Sequence, residues 1–238
     1  MKIKLLVITL TLTLAVSACA APSATPAPTV AVLPATELVT VNQPPAIDPA
    51  TEAPPLSTGA TFIIAPDQSE ARFVIGEILG GAPNTVIGVT HDVEGSFTVN
   101  YAHRAGASFN AVRVDMSNFV TDNPFRNGAV RDRILESGNP DFRYAEFTVT
   151  SVNGLPQTVE IGKTYQVEVT GGLAMHGVSK EVTFTGAVTP TSATQVTGLL
   201  SVKLAYADFG IQILRLPQQV ASVEDLVSLE LEFVANAQ

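Results

Sequence analysis

The sequence predicts an all-β domain with one short helix, on three observations. Apolar residues recur at every second position in eight stretches between residues 71 and 233. Glycine, proline and asparagine clusters separate those stretches, and only one segment carries helical spacing. Strict alternation sends one set of side chains inward and the other into water, as in antiparallel strands with one wet face.

The elements follow in chain order. Lys2 and Lys4 precede an apolar run from Leu5 to Val16 and then Ser17-Ala18, the layout of a secretory leader. That run of twelve residues is shorter than the roughly 20 a transmembrane helix needs. Val16-Ser17-Ala18-Cys19 resembles a lipobox, and Cys19 is the only cysteine of the chain. The expectation is a lipoprotein signal peptide over residues 1–18, acylation at Cys19, and a protein held to a bacterial membrane outside the cytoplasm, in the periplasm or at the cell surface. Residues 20–58 hold nine of the sixteen prolines, and no aromatic residue occurs before Phe62. Such a stretch has little to bury, so residues 19–59 read as a disordered tether. Residues 60–236 then make one domain, long enough to bury a substantial core.

Within the domain, Ala71, Phe73 and Ile75 alternate with polar neighbours, and Val93, Gly95, Phe97 and Val99 do the same. So do Val112, Val114 and Met116, then Phe147 and Val149, then Tyr165, Val167, Val169 and Leu173. Val182, Phe184 and Val188 follow, then Val196, Leu200, Val202 and Leu204, and last Val227, Leu229, Leu231 and Phe233. Turn chemistry falls at Gly80-Gly81-Ala82-Pro83, Asn100 to Gly106, Asn153-Gly154 and Thr189-Pro190-Thr191-Ser192. The helix is placed at about Asn127 to Ser137, with Val130, Ile134 and Leu135 on one face. Strands with one apolar face bury it in a sandwich or by curling into a barrel. Internal glycines (Gly88, Gly95, Gly171, Gly172, Gly198) favour strong curvature.

Charge and composition exclude several functions. Without Lys2 and Lys4, eleven basic residues face 22 acidic ones, which speaks against nucleic acid and against electrostatic docking on anionic lipid. No cysteine follows Cys19, so packing alone stabilises the domain. His91 and His103 stand far apart and no cluster has metal-ligand spacing, so no metal is expected. No G-x-S-x-G elbow or phosphate-cradling glycine loop is present. Asp132 and Glu136, four apart on the helix, read as a solvated pair. Neither catalysis nor a cofactor is expected.

Five pieces of the chain occur in a telling order. They are Asp67-Gln68-Ser69-Glu70-Ala71-Arg72-Phe73 at the opening, the helix Arg131-Asp132-Arg133-Ile134-Leu135, the strand Tyr144-Ala145-Glu146-Phe147-Thr148, the stretch from Gly172 to Val182, close to G-x-L-x-x-x-G-v-x-K-x-V, and a late Phe209-Gly210-Ile211. In this order they resemble the YceI-like family. The sequence departs from the pattern at Ile134, where the family commonly has histidine, at Ala145, where it has proline, and at Phe62, where it often has tryptophan. The resemblance implies a closed antiparallel lipocalin-like β-barrel with an elongated apolar cavity that binds a polyisoprenoid or other long-chain amphiphile.

On that reading Phe73, Phe97, Phe147, Leu173, Phe184, Leu200 and Leu204 are the candidate wall of a lipid tunnel; each is otherwise ordinary core. Phe109 and Phe119, off phase, are candidates for the mouth. Arg131 and Asp132 are candidates for a head group or the barrel end, and otherwise tie the helix to the barrel. His176, near Lys180 in a Met-His-Gly turn, is a third such candidate and otherwise a solvated side chain. The alternative function is an envelope interaction module, a filled barrel acting through the loops Gly80 to Asn84, Pro124 to Gly128 and Leu214 to Glu224.

Overall fold

A computed structural model describes residues 59–99 and 107–238; the leader, Cys19, the tether and the expected turn from Asn100 to Gly106 lie outside the described residues. Thirteen strands among the described residues join in one strongly curled antiparallel sheet.

The first strand, β1 (Ala60–Ile64), passes through a 3-10 turn at Pro66–Gln68 into β2 (Glu70–Leu79). β3 (Ala82–Thr90), β4 (Val93–Glu94), β5 (Ser96–Val99), β6 (Ser108–Phe109) and β7 (Val112–Asp115) follow. The helix α1 (Pro124–Ala129) continues as a π turn over Val130–Ile134. β8 (Tyr144–Asn153), β9 (Tyr165–Met175), β10 (Val178–Ser192) and β11 (Gln195–Ala205) form a meander. β12 (Val220–Val223) and β13 (Leu226–Ala237) end the chain.

β7 to β11 pair in sequence and β11 pairs with β13. β13 serves two partners on its other edge: Ser228 to Glu232 pair with β2, and Ala235 to Ala237 pair with β1. Between them the first strand leaves the sheet in its 3-10 turn. Buried Ser69 bridges the gap, its Oγ accepting from Val234 N at 3.0 Å. Beyond Val74, β2 pairs with β12 instead and projects past β13. The segment from β3 to β5 touches the β7 side through β4–β7 pairing, through β5–β6 pairing and through reciprocal backbone bonds of 2.9 Å between Val89 and Val120.

Several expectations need correcting. The stretch Val93–Val99 is two strands, interrupted at Gly95. Pro83 is not in a turn: Gly80 and Gly81, both at positive φ, make the reversal and β3 starts at Ala82. Thr189 to Ser192 continue β10, with Pro190 at a register shift. A bulge accommodates proline because the ladder bond it cannot donate is already absent there. The helix begins at Pro124, not Asn127. Asn123 caps it, its side chain accepting from Phe125 N at 2.9 Å, and proline follows in the first turn where its missing N–H is harmless.

The internal glycines have a more specific cause than curvature. Gly88 lies opposite Phe73 and Gly198 opposite Phe233, and each ring occupies the place a Cβ would take. At Gly171 the crowding comes first from backbone, with Thr148 O 2.3 Å from where a Cβ would stand and the Phe147 ring 2.9 Å away. Aromatic rings on one strand thus cover bare backbone on the next.

Candidate functional site

All strand ends at Asp115, Tyr144, Met175, Val178, Ala205 and Leu226 gather at one end of the sheet, here called the helix end because α1 crosses it. Inside the curl is a cavity of about 340 Å³, within the usual range for ligand pockets. Its wall is apolar apart from Arg72, Glu230, Tyr165 and Tyr206. β9 shows how the sequence builds it. The inward set Tyr165, Val167, Val169, Leu173 and Met175 is buried and lines the cavity, while Gln166, Glu168 and Ala174 are exposed. At ~3.4 Å per residue that run is ~34 Å long, so the cavity wall extends along most of the strand's height.

Six of the seven proposed wall residues stand on the cavity: Phe73, Phe97, Phe147, Leu173, Phe184 and Leu200. Phe147 and Phe184 meet edge to face with centroids 4.9 Å apart, a preferred aromatic geometry. Leu204 is not on the wall. It packs, half-buried, against a cluster of Met116, Leu173, Met175, Phe209 and Ile211, of which all but Phe209 also line the cavity. Phe109 and Phe119 both line the cavity, Phe119 touching Phe73 at 5.2 Å between centroids. Alternation missed them because Phe109 sits on a two-residue strand and Phe119 just after a 3-10 turn.

The polar candidates fall elsewhere. Arg131 and Asp132 are exposed, lie off the cavity, and pair with each other at 2.7 Å. They do not tie the helix to the sheet; Arg126 does, reaching buried Glu77 on β2 at 3.0 Å. Asn84 also donates to Glu77. The turn histidine is not solvated. His176 and Gly177 both have positive φ and make the two-residue reversal between β9 and β10. The imidazole is 13% exposed and stacks on Phe142 at 4.3 Å. Its buried Nε2 has no hydrogen-bond partner, with Glu136 Oε2 3.8 Å away. The F-G-I motif packs beside it: Phe209 and Ile211 are buried, and Gly210 turns at φ +73° close to the His176 ring.

At the base of the helix connection, Asp115 accepts from Ser117 N and Oγ and from Arg143 Nε at 2.9 Å. Burial pushes its carboxyl up, but the Arg143 and Ser117 hydrogen bonds outweigh that and hold it below the ordinary value. No group of three or more His, Cys, Asp or Glu among the described residues is arranged to hold a metal.

A strongly curled antiparallel sheet with its apolar face turned to an inner cavity is consistent with a lipocalin-like barrel architecture. The model of the YceI-like domain family matches residues 62–235, and the chain belongs to that family. No curated protein matches it. Among solved structures it is similar to a polyisoprenoid binding domain from Saccharophagus degradans implicated in plant cell wall breakdown, at 20% identity and a TM-score of 0.56, covering 75% of this chain and 99% of that one. It is also similar to BcnA of Burkholderia cenocepacia, at 18% identity and a TM-score of 0.57, covering 73% of this chain and 99% of that one. At these identities the likeness is one of fold.

Proposed function

We propose that the domain binds a polyisoprenoid or other long-chain amphiphilic lipid in its cavity and carries or sequesters it beside a membrane to which Cys19 anchors the chain. The apolar cavity is the observation that carries this reading. Its volume of about 340 Å³ is walled almost wholly by apolar side chains, which suits a hydrocarbon chain rather than a polar ligand. A ligand chain entering it gains about 0.8 kcal/mol for each buried methylene. The binding named for the similar Saccharophagus degradans domain supports the ligand class. Closure of the sheet into a barrel belongs to the same proposal, supported by the Val89–Val120 bonds and by Asp115 N donating to Asp92 O at 3.0 Å. The alternative, an interaction module with a filled barrel, needs an interior without such a void.

The test is native mass spectrometry of the chain carrying Cys19→Ser, purified from bacteria without detergent, then organic extraction. A stoichiometric adduct that extracts as a prenyl or acyl compound is expected. An apo mass, with no uptake from a panel of prenyl quinones and fatty amphiphiles, overturns the ligand reading. Labelled palmitate entering the native chain but not the Cys19→Ser chain tests the anchor separately.

A further inference from the structure

Among the described residues four with polar side chains stand at the cavity wall, and two of those side chains turn away from it. Arg72 lies between inward Ala71 and Phe73, and Glu230 lies between inward Leu229 and Leu231. Strand alternation therefore sends both to the outer face, where they are cross-strand partners. There Arg72 bonds to Glu230 at 3.0 Å, to Glu232 at 3.2 Å and to Glu70, so three carboxylates hold the single guanidinium. No other basic residue among those described is on the wall. At the helix end Arg126, Arg131 and Arg143 are each paired with a carboxylate, and Arg133 and Arg215 stand off the wall.

The two tyrosines remain, and they differ. Tyr165 opens β9, and its hydroxyl oxygen accepts from Glu160 N at 2.8 Å. Tyr206 opens the 3-10 turn Tyr206–Phe209 that follows β11, and its hydroxyl has no hydrogen-bond partner among the described residues. Register sets them far apart. Val188 pairs with both Tyr165 and Gly198, so Tyr165 is level with Gly198, and Tyr206 stands eight positions further along. At ~3.4 Å per residue that is ~27 Å, so one small head group reaches only one of them. The β11–β13 ladder ends where Ala205 meets Leu226, which puts Tyr206 beside exposed Asp225 just beyond it. Burial and the Asp225 carboxylate both push the phenol up from its ordinary value, so its proton stays available for donation.

We propose that Tyr206 is the head-group residue of the cavity: its hydroxyl donates to an uncharged head, a hydroxyl or a carbonyl, while the ligand's tail runs along β9 towards Tyr165. The proposal deepens the ligand-binding reading and rests on it. An anionic head at this place gives up water with no cation on the wall to replace it, and it meets the Asp225 carboxylate. An uncharged oxygen exchanges one water for the Tyr206 hydroxyl at little cost. One polar group on an otherwise apolar wall also fixes which way a long ligand lies.

The test is uptake of four radiolabelled ligands by the full chain carrying Cys19→Ser, counted after gel filtration: geranylgeraniol, geranylgeranyl phosphate, geranylgeranoic acid and the headless hydrocarbon phytane. The alcohol is expected to bind on the order of tenfold or more tighter than the phosphate and the acid at neutral pH. Tyr206→Phe keeps the ring and removes the donor, so it should weaken the alcohol roughly fivefold relative to phytane. Asp225→Asn should narrow the gap between alcohol and phosphate. Thermal melts show whether each variant is folded, and the comparison of the four ligands on the unvaried cavity needs neither exchange. Phosphate or acid bound as tightly as the alcohol overturns the uncharged head and leaves the ligand reading standing. Tyr206→Phe weakening alcohol and phytane equally, or neither, makes Tyr206 plain wall and overturns its assignment, again with the ligand reading intact. Uptake of none of the four removes the ligand reading and this proposal with it.

Discussion

Phe73 and Gly88 face each other across β2 and β3, and a Cβ on Gly88 would lie 2.0 Å from the Phe73 ring. The ring also lines the cavity, so one contact couples backbone packing to cavity shape. Gly88→Ala should force the ring inward. Overpacking of this kind costs about 1–3 kcal/mol. Urea unfolding should show that loss together with weaker ligand uptake, and Phe73→Leu in the same chain should recover part of the stability.

Leu200 points into the cavity from β11 and offers the converse experiment. Leu200→Phe adds volume where the structure has a void, so it should change stability by less than about 1.5 kcal/mol. Native mass spectrometry should show the adduct reduced or lost. A large destabilisation with uptake unchanged would mean that no void exists at this position.

Asp115 links stability in acid to a carboxylate at the base of the helix connection. Its pKa in the folded chain lies below the ordinary value, so its contribution is complete above the unfolded value of about 3.9 and is lost as pH falls through the folded one. Asp115→Asn should lower stability at neutral pH by about 1.5 kcal/mol, a modest figure because Arg143 is half exposed. Urea unfolding at a series of pH values should show the two proteins converging in acid.

Glu136 adopts φ +48° just past the helical segment, where Ser137 N donates to Arg131 O at 2.9 Å. Glycine suits that left-handed position better. Glu136→Gly should raise stability by about 1 kcal/mol, read as a higher urea midpoint at unchanged slope.

The legibility of the fold in sequence followed the regularity of its strands. β9 and β13 alternate cleanly and were readable residue by residue. β3 was hidden because Pro83, Asn84 and Thr85 carry turn chemistry at its start, and only its pairing with β2 makes them a strand. Pro190 misled in the same way, since a bulge on β10 tolerates what a regular ladder does not. For the cavity, parity identified Phe147 and Leu200 as inward but does not say whether anything fills the space between them. Leu204 has the same parity as Leu200 but stands off the cavity, packed against the cluster that contains Phe209 and Ile211.

The pairing of β13 with both β1 and β2 sets the order in which the domain can be completed. Phe62 meets Ala237, and Gln238 N donates to Thr61 O at 3.0 Å, so the domain's opening residues bond to its last. Contacts this remote in sequence close late and slowly. A chain emerging from its amino end therefore holds the β13-facing edges of β1 and β2 unpaired until the final strand has appeared. During that interval the apolar faces of Phe62 and Phe73 depend on whatever shields nascent chains from one another.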